Sequence, residues 1–374
     1  MKKLISIVFG TRPELIKLAP VILQAQQDQR FQVEVIFTGQ HDELVRDAIE
    51  FFQIKIDHRL KMMNAGQSLN QLLIQGLGQL EHIFNDGQHR DAIVIQGDTT
   101  TVLAAGLVAF SMKIPVAHVE AGLRSYDLDH PFPEEGNRQL VSRITQWHFA
   151  PTEQSKQNLL QEHIQANSIT VTGNTVVDAV YLGRDLIHQQ GSQQNQLQQH
   201  GLDFPENARV VLITAHRREN FGEGILNICH AVEYLAQHYP DVHFVWPVHL
   251  NPAVHDVVHA KFAHHAQVHL VKPLDYPSLL AVIDRSVFIL TDSGGLQEES
   301  PSFHKPVLIL RETTERPEVV QVGAGILVGT DQAKIITEAE RLLSDQAHYE
   351  RMAHVPNPFG DGQASKRILD VIAG

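Results

Sequence analysis

A chain of 374 residues is too long for one ordinary core, so two domains are expected. Thirty basic residues against 43 acidic ones leave a net charge of −13, which excludes non-specific nucleic-acid binding because that needs a positive field. The composition is globular, 43% hydrophobic and 20% charged, and no apolar run approaches the roughly 18 residues of a membrane span.

The N-terminal "MKKLISIVFG" is basic and then apolar, but it breaks into Gly-Thr-Arg-Pro-Glu without a small-residue cleavage site. It reads as a first β-strand and not as a signal peptide. "RPELIKLAPVILQAQQ" follows with helical spacing. Gly10 suits a tight turn and Pro13 the first position of a helix, while Arg12 and Lys17 set two cations near its start. Cations at a helix start suit an anion, although a capped helix with surface charges explains the same residues. Next come the strand "FQVEVIFTG", the helix "DELVRDAIEFF" and the strand "DAIVIQGD". Asp98 ends that strand before "TTTVLAAGLVAFSMK"; it is either an N-cap or a carboxylate offered at the strand end, and the cap is the simpler reading. "IPVAHVEAG" is a further strand, ending near Glu120. "QWHFAPTEQSKQNLLQE" and "ITVTGNTVVDAV" complete the first half, and the Gln-rich 188–201 reads as a solvated, helix-prone segment.

The alternation then restarts. "ARVVLITAHRREN" runs from a strand into His216, Arg217, Arg218 and Glu219; beside two arginines, His216 is expected to be a neutral hydrogen-bonding or acid–base group, or a phosphate contact. A surface basic loop is the alternative. "GILNICHAVEYLAQHY" is helical and carries the lone cysteine, Cys229, read as a core residue; with one cysteine no intrachain disulfide exists, and a cytoplasmic protein is the default. "VHFVWPVHLNP", "VHLVKPLDYPSLLAVID", "SVFILTDSGGLQEES" and "KPVLILRETTERPE" continue the strand–helix order, and "DGQASKRILDVIAG" reads as a last helix. Continuous β-branched strands alternating with helices predict two doubly wound parallel sheets, an α/β fold whose ligands bind beyond the carboxyl ends of the strands.

The strongest local signal is Ser293-Gly294-Gly295 after a buried strand. Two glycines let a diphosphate approach backbone N–H groups, and Glu299, about one turn on, suits ribose hydroxyls. A Gly-Gly turn without a ligand is the alternative. There is no Walker lysine, and "GAGILVG" (323–329) has the wrong spacing for a dinucleotide fingerprint, so no nicotinamide or flavin cofactor is expected. Arg311 and Arg316 follow a later strand; Arg316 is a further anion contact or pairs with Glu315 or Glu318. His255 and His259 have helical i, i+4 spacing but lack the glutamate of H-E-x-x-H and any cysteine partner, so no metal is expected.

"GTRPELIKLAP", "QGDTTT", "HVEAGLRSYDL", "PFPEEGNR", "TAHRREN", "PVHLNP", "TDSGGLQEES" and "TTERPE" occur in this order. Together they resemble the non-hydrolysing UDP-N-acetylglucosamine 2-epimerases over nearly the whole chain. The resemblance implies a glycosyltransferase-B-like fold of two Rossmann-like domains facing a cleft, 1–172 and 173–357, with a C-terminal helix in 358–374 crossing back to the first. It implies a homodimer without cofactor, feeding polysaccharide biosynthesis. It implies C2 epimerisation of UDP-GlcNAc to UDP-ManNAc by UDP elimination to 2-acetamidoglucal and re-addition. That chemistry needs a base for a weakly acidic C2 proton, an acid on the other face, and cations for the departing UDP. By motif, Asp98, Glu120 and Glu134 are the acid–base candidates, and His216 lies near the diphosphate. Arg12, Lys17, Ser293, Gly294, Gly295, Glu299 and Arg316 are substrate contacts, and Leu274 and Leu279 fall in the uracil segment. Glu135 reads as a supporting residue or as a remnant of a second ligand site, and Asp127 and Asp129 as solvated loop charges.

Some members of the family bind a second UDP-GlcNAc as activator through a Gln-His-Arg segment and an Arg on the next helix. Here the first reads Gln40-His41-Asp42-Glu43, and Gln75 stands where Arg would, so activation is expected to be weak or absent. Three other readings share these motifs: a hydrolysing epimerase releasing UDP and ManNAc, a UDP-sugar transferase, and a non-catalytic UDP-sugar sensor. The carboxylate set favours proton chemistry at C2.

Overall fold

The structure, a computed structural model, describes residues 2–40, 42–64, 66–189, 193–205 and 207–374, the side chains of 42–44 excepted. The chain forms two compact units, Met1–Leu182 with Phe359–Gly374, and Gly183–Pro358. The division falls inside the helix Thr175–Gln189, past the strand end at 172/173 where the sequence motifs change.

In the first unit the strands are β1 (Lys3–Phe9), β2 (Phe31–Phe37), β3 (His58–Arg59), β4 (Ala92–Gln96), β5 (Val116–Val119), β6 (Trp147–Ala150) and β7 (Ile169–Val171). They pair in the order β3-β2-β1-β4-β5-β6-β7, with Lys3 opposite Phe31 and Ile5 opposite Ala92. In the second unit β8 (Arg209–Thr214), β9 (Val242–Pro247), β10 (Val268–Val271), β11 (Ser286–Thr291), β12 (Val307–Ile309) and β13 (Gly325–Leu327) pair in the order β10-β9-β8-β11-β12-β13. Every pairing is parallel. These are the two doubly wound α/β sheets that the alternation predicts.

The strands read as continuous apolar runs because helices cover both faces. Ile5, Ile7, Val8 and Phe9 of β1 are fully buried, as are Val210 to Ile213 of β8. In the first unit Val8, Ile93 and Ile95 pack against Leu80, Val102 and Val141 of three covering helices. In the second, Trp246 and Phe288 pack with Cys229, Val232 and Phe262. Cys229 is thus a core residue, its thiol pushed up to about 12 by burial.

In each sheet the strand order reverses once, between β1 and β4 and between β8 and β11. Strands on either side send their connections to opposite faces, which opens a crevice at their carboxyl ends. The turns after β1, β4, β8 and β11 contain Gly10, Asp98, His216 and Ser293, so the residues singled out from the sequence cluster at the two reversals.

The last helix, Ala364–Ala373, belongs to the first unit. Asp178 accepts the backbone N–H of Ser365 (2.8 Å) and Ala364 (3.2 Å), and Ile368, Leu369 and Ile372 are buried. Several helices lie outside the segments quoted as helical from the sequence, Gln332–Ser344 and Gln346–Ala353 among them. Leu69–Phe84 starts on a Ser68–Gln71 capping box, and Glu134–Ile144 starts directly after Pro133. The Gln-rich segment forms the short helix Gln193–Gln199, whose Leu197 is buried. Among the described residues no helix is long and apolar enough to cross a membrane.

Candidate functional site

The first unit collects carboxylates. The turn after β1 is closed by Gly10, where a Cβ would lie 2.3 Å from the Thr101 hydroxyl and 2.5 Å from that of Thr38, so glycine is required. Arg12 opens the helix Arg12–Gln27 and is half-buried. One turn on, Lys17 pairs with Glu120 across the sheet at 2.5 Å, and Gln96 at the end of β4 donates to the same oxygen at 3.1 Å. The side chains of Lys17 and Glu120 are 14% and 8% exposed, so the pair is largely withdrawn from water. Glu120 has a left-handed backbone, φ 66°, which costs a residue with a Cβ about 1–3 kcal/mol. Such strain persists where surrounding structure enforces it, and it sits here at a strand end.

Asp98 is not the N-cap that its position allows. Thr99 occupies the N-cap position of the helix Thr100–Ser111, and the Asp98 carboxylate pairs with Arg138 at 3.0 Å. The Asn137 amide donates to the Asp98 carbonyl at 2.8 Å. Arg138 is held by Glu135 (2.9 Å), which is fully buried and also accepts the N–H of Ser125 (3.0 Å) and the Gln139 amide (2.8 Å). Burial pushes the Glu135 carboxyl up, but hydrogen bonds from Gln139, Ser125 and Arg138, with the arginine charge, outweigh it and hold the group below the usual carboxylate range. Glu135 therefore orients the arginine on Asp98. Glu134, beside it, opens the same helix and is half-buried; Asp127 and Asp129 are exposed.

Glu14 was not among the residues expected at the site. It completes a capping box with Thr11, yet it is 2% exposed and ties Gly10 and Thr11 to Thr99. Burial, with a further push from the Asp98 charge, raises its carboxyl to about 7 against the hydrogen bonds it accepts. Neither was His118 singled out: it donates from Nε2 to the Gly97 carbonyl at 2.7 Å, beneath the Asp98 turn, and burial lowers it to about 3, so it stays neutral.

The second unit carries different chemistry. Asp292, fully buried at the end of β11, accepts the N–H of His216 (2.7 Å) and Arg217 (2.8 Å) and the Asn220 amide (3.0 Å). His216 Nδ1 lies 3.1 Å from its other oxygen. Burial pushes Asp292 up; the hydrogen bond and charge of His216 and the two N–H donors outweigh it, and the carboxyl lies below its ordinary value. A carboxylate on Nδ1 fixes the ring and leaves Nε2 for a ligand. The signal was the aspartate of "TDSGG", masked by the glycines after it. The His216 ring also stacks on His249, with centroids 5.8 Å apart.

A cavity of about 210 Å³ opens there, lined by His216, Pro247, Leu274, Leu279, Ser293 and Leu296 among others. At Gly294 an added Cβ would meet nothing within 4 Å, so the chain's own packing does not require glycine at that point. The absent side chain leaves the backbone open to an approaching group. Glu299 is buried in the helix Gly294–Glu299. Arg316 pairs with Glu298 and donates to the Glu315 carbonyl at 3.2 Å. Arg311 donates to Glu219 at 2.8 Å. The structure thus brings His216, Ser293, Leu274 and Leu279 to one cavity, and joins Lys17 to Glu120 and Asp98 to Arg138.

Two sequence expectations concern other places. The rings of His255 and His259 lie tilted by 30° with centroids 4.2 Å apart, and among the described residues no group of three His, Cys, Asp or Glu could hold a metal ion. The side chains of Asp42 and Glu43 lie outside the described residues, whereas Gln75 accepts the Asn64 amide at 3.3 Å.

The family model described as UDP-N-acetylglucosamine 2-epimerase matches residues 23–373. A UDP-N-acetylglucosamine 2-epimerase of Neisseria meningitidis is 45% identical, covering 98% of both chains. Its Escherichia coli K12 counterpart is 43% identical over 98% of this chain and 97% of that one. Among solved structures, the N. meningitidis enzyme bound to UDP-GlcNAc superposes with a TM-score of 0.89 at 44% identity, covering 99% of each chain. The Methanocaldococcus jannaschii enzyme, in complex with UDP-GlcNAc and UDP, gives 0.80 at 34% identity, again over 99% of each chain. With strand order, strand-end residues and these similarities in agreement, the chain belongs to the UDP-N-acetylglucosamine 2-epimerase family.

Proposed function

We propose that the protein interconverts UDP-GlcNAc and UDP-ManNAc by inverting C2, without hydrolysis. A base removes the C2 proton as the C1–O bond to UDP breaks, giving 2-acetamidoglucal and UDP. UDP then re-adds at C1 while an acid returns a proton to the opposite face of C2. The observation that carries this reading is the set of carboxylates Asp98, Glu120 and Glu134 at neighbouring turns of the first unit, two of them already paired with cations. A binding module or a simple transferase does not require several proton-transfer groups of this kind.

In the second unit, the apolar cavity with Leu274 and Leu279 offers room for a heterocyclic ring. The open backbone at Gly294 next to Ser293 suits a diphosphate, and His216, oriented by Asp292, suits stabilisation of the leaving phosphate. Glu299 is the ribose carboxylate in this reading, and Arg12 and Arg316 are further contacts for the anion. Lys17 has a second role: its ammonium group, 2.5 Å from Glu120, holds that carboxylate in place.

Incubation with UDP-GlcNAc in deuterated water tests the proposal. Deuterium at C2 in a recovered mixture of both UDP-sugars is the expected result. Accumulation of UDP with free ManNAc would replace it by hydrolysis, and no change without an added acceptor would replace it by transfer. Glu120→Gln should keep the fold and lower C2 labelling by at least about 10²-fold. Wild-type labelling in that variant removes Glu120 from the chemistry.

A further inference from the structure

Glu14 does more than a capping residue needs. In a capping box the glutamate returns one hydrogen bond to the N-cap N–H, and a solvated side chain is enough for that. Here Oε2 accepts two N–H groups, Gly10 at 2.6 Å and Thr11 at 2.8 Å, while Oε1 accepts the Thr99 hydroxyl. One carboxylate therefore joins the turn after β1 to the turn after β4, the two sides of the strand-order reversal. It does so fully buried and close enough to Asp98 to feel its charge. Burying one carboxylate close to another disfavours its charged form, so helix capping does not account for the arrangement.

We propose that Glu14 is a positioning residue: by clamping Gly10 and Thr11 to Thr99, it fixes where the adjoining Asp98 presents its carboxylate to the substrate. The inference rests on the reading of Asp98 as an acid–base group. It adds that the Asp98 turn is set through a second, buried carboxyl that never touches the sugar. The charged groups around Glu14 are Asp98, with its partner Arg138, and, on Glu14's own helix, Arg12 and Lys17, the latter paired with Glu120. Because Oε2 faces two N–H donors, a proton on Glu14 sits on Oε1. There it reverses the hydrogen bond to Thr99 and turns that hydroxyl away. Glu14→Gln sets an NH₂ group where this proton would be, and so freezes the protonated arrangement.

The test measures epimerisation of UDP-GlcNAc by the full chain against pH, for wild type, Glu14→Gln, Thr99→Val and Asp98→Asn. For Glu14→Gln and Thr99→Val, kcat is expected to fall about ten- to hundredfold, as displacement of a reacting group by less than 1 Å would cause, with KM within about twofold. The wild-type kcat/KM profile should carry an inflection near the pH of about 7 at which Glu14 titrates, and Glu14→Gln should lack it. Unchanged kcat and pH profile in Glu14→Gln beside an inactive Asp98→Asn overturns the inference. A lowered kcat with the inflection intact overturns it too, since that is a structural effect alone. An active Asp98→Asn instead overturns the reading of Asp98 beneath it. Should Glu14→Gln fail to fold, Thr99→Val removes the clamp with Glu14 in place, and wild-type kcat there refutes the proposal.

Discussion

Arg90→Met isolates the worth of a buried charge cluster in the first unit. The Arg90 side chain has no exposure and grips Glu34 through Nε and Nη2, each at 3.0 Å, and Asp86 through Nη1 at 2.9 Å. Methionine fills much of its volume but leaves Glu34, whose side chain is 10% exposed, with Ser6 and with His58 at 3.0 Å. Breaking a buried pair from one side costs about 3–5 kcal/mol. For a unit of about 200 residues, at about 2–4 °C per kcal/mol, the melting transition should fall by roughly 6–20 °C. The pH dependence fixes the cause. Burial pushes the Glu34 carboxyl up, but the hydrogen bonds of Arg90 and Ser6 and the arginine charge hold it below its ordinary value. In wild type this adds stability that is present above the unfolded pKa of about 4.3 and is lost as pH falls through the folded one. Without Arg90 the burial effect prevails and the sign reverses. The deficit should therefore be full near pH 7 and shrink towards about pH 4. Calorimetry follows the transition, and hydrogen exchange assigns it to the first unit. Arg90→Met with Glu34→Leu should recover most of the loss, since replacing both partners removes the stranded charge. A loss below about 1 kcal/mol, or one unchanged by acid, refutes the reasoning.

Asp178→Ala strips the acceptor from two buried N–H groups at the start of the last helix, so about 2–4 kcal/mol of local stability should go, read as faster hydrogen exchange across 364–373. Unchanged exchange there would show that the apolar face alone holds the helix. Asp292→Asn should keep the fold but lower kcat by about 10²-fold or more, because the amide can set His216 in the wrong tautomer; steady-state kinetics against a matched melting curve check this. On the sequence of the 40–43 segment and Gln75, conversion starting from UDP-ManNAc should proceed without added UDP-GlcNAc. An absolute requirement for UDP-GlcNAc would sink that expectation.

Much of the architecture is legible because each strand is a buried, β-branched run and each helix begins at a recognisable turn. β1, β4, β5, β8 and β11 end where the apolar runs end, which places Asp98, Glu120, His216 and Ser293 at strand ends, while the roles expected of Asp98 and Glu120 come from the motif resemblance. What stays hidden depends on distance in the chain. Glu120 lies 103 residues from Lys17, and Asp98 lies 40 from Arg138, so no local pattern announces either pair. Glu14 obeys the capping rule so well that its spacing conceals its burial, which only the packing of the β4 turn over it creates. β3 has two residues and so no periodicity to read.

The left-handed backbone at Glu120 has a bearing on how variants of this protein would be scored. A glycine or asparagine at that position adopts φ near 66° at less cost, and that relief offsets part of the stability lost when Lys17 is left without its carboxylate. In a library ranked by cellular abundance, loss of the carboxylate would then register as milder than the loss of its ion pair alone implies. Ranked by product formed, the same substitution would be among the most damaging. Position 120 is a place where protein level and protein usefulness are set to diverge, and a screen that measures one cannot stand in for the other.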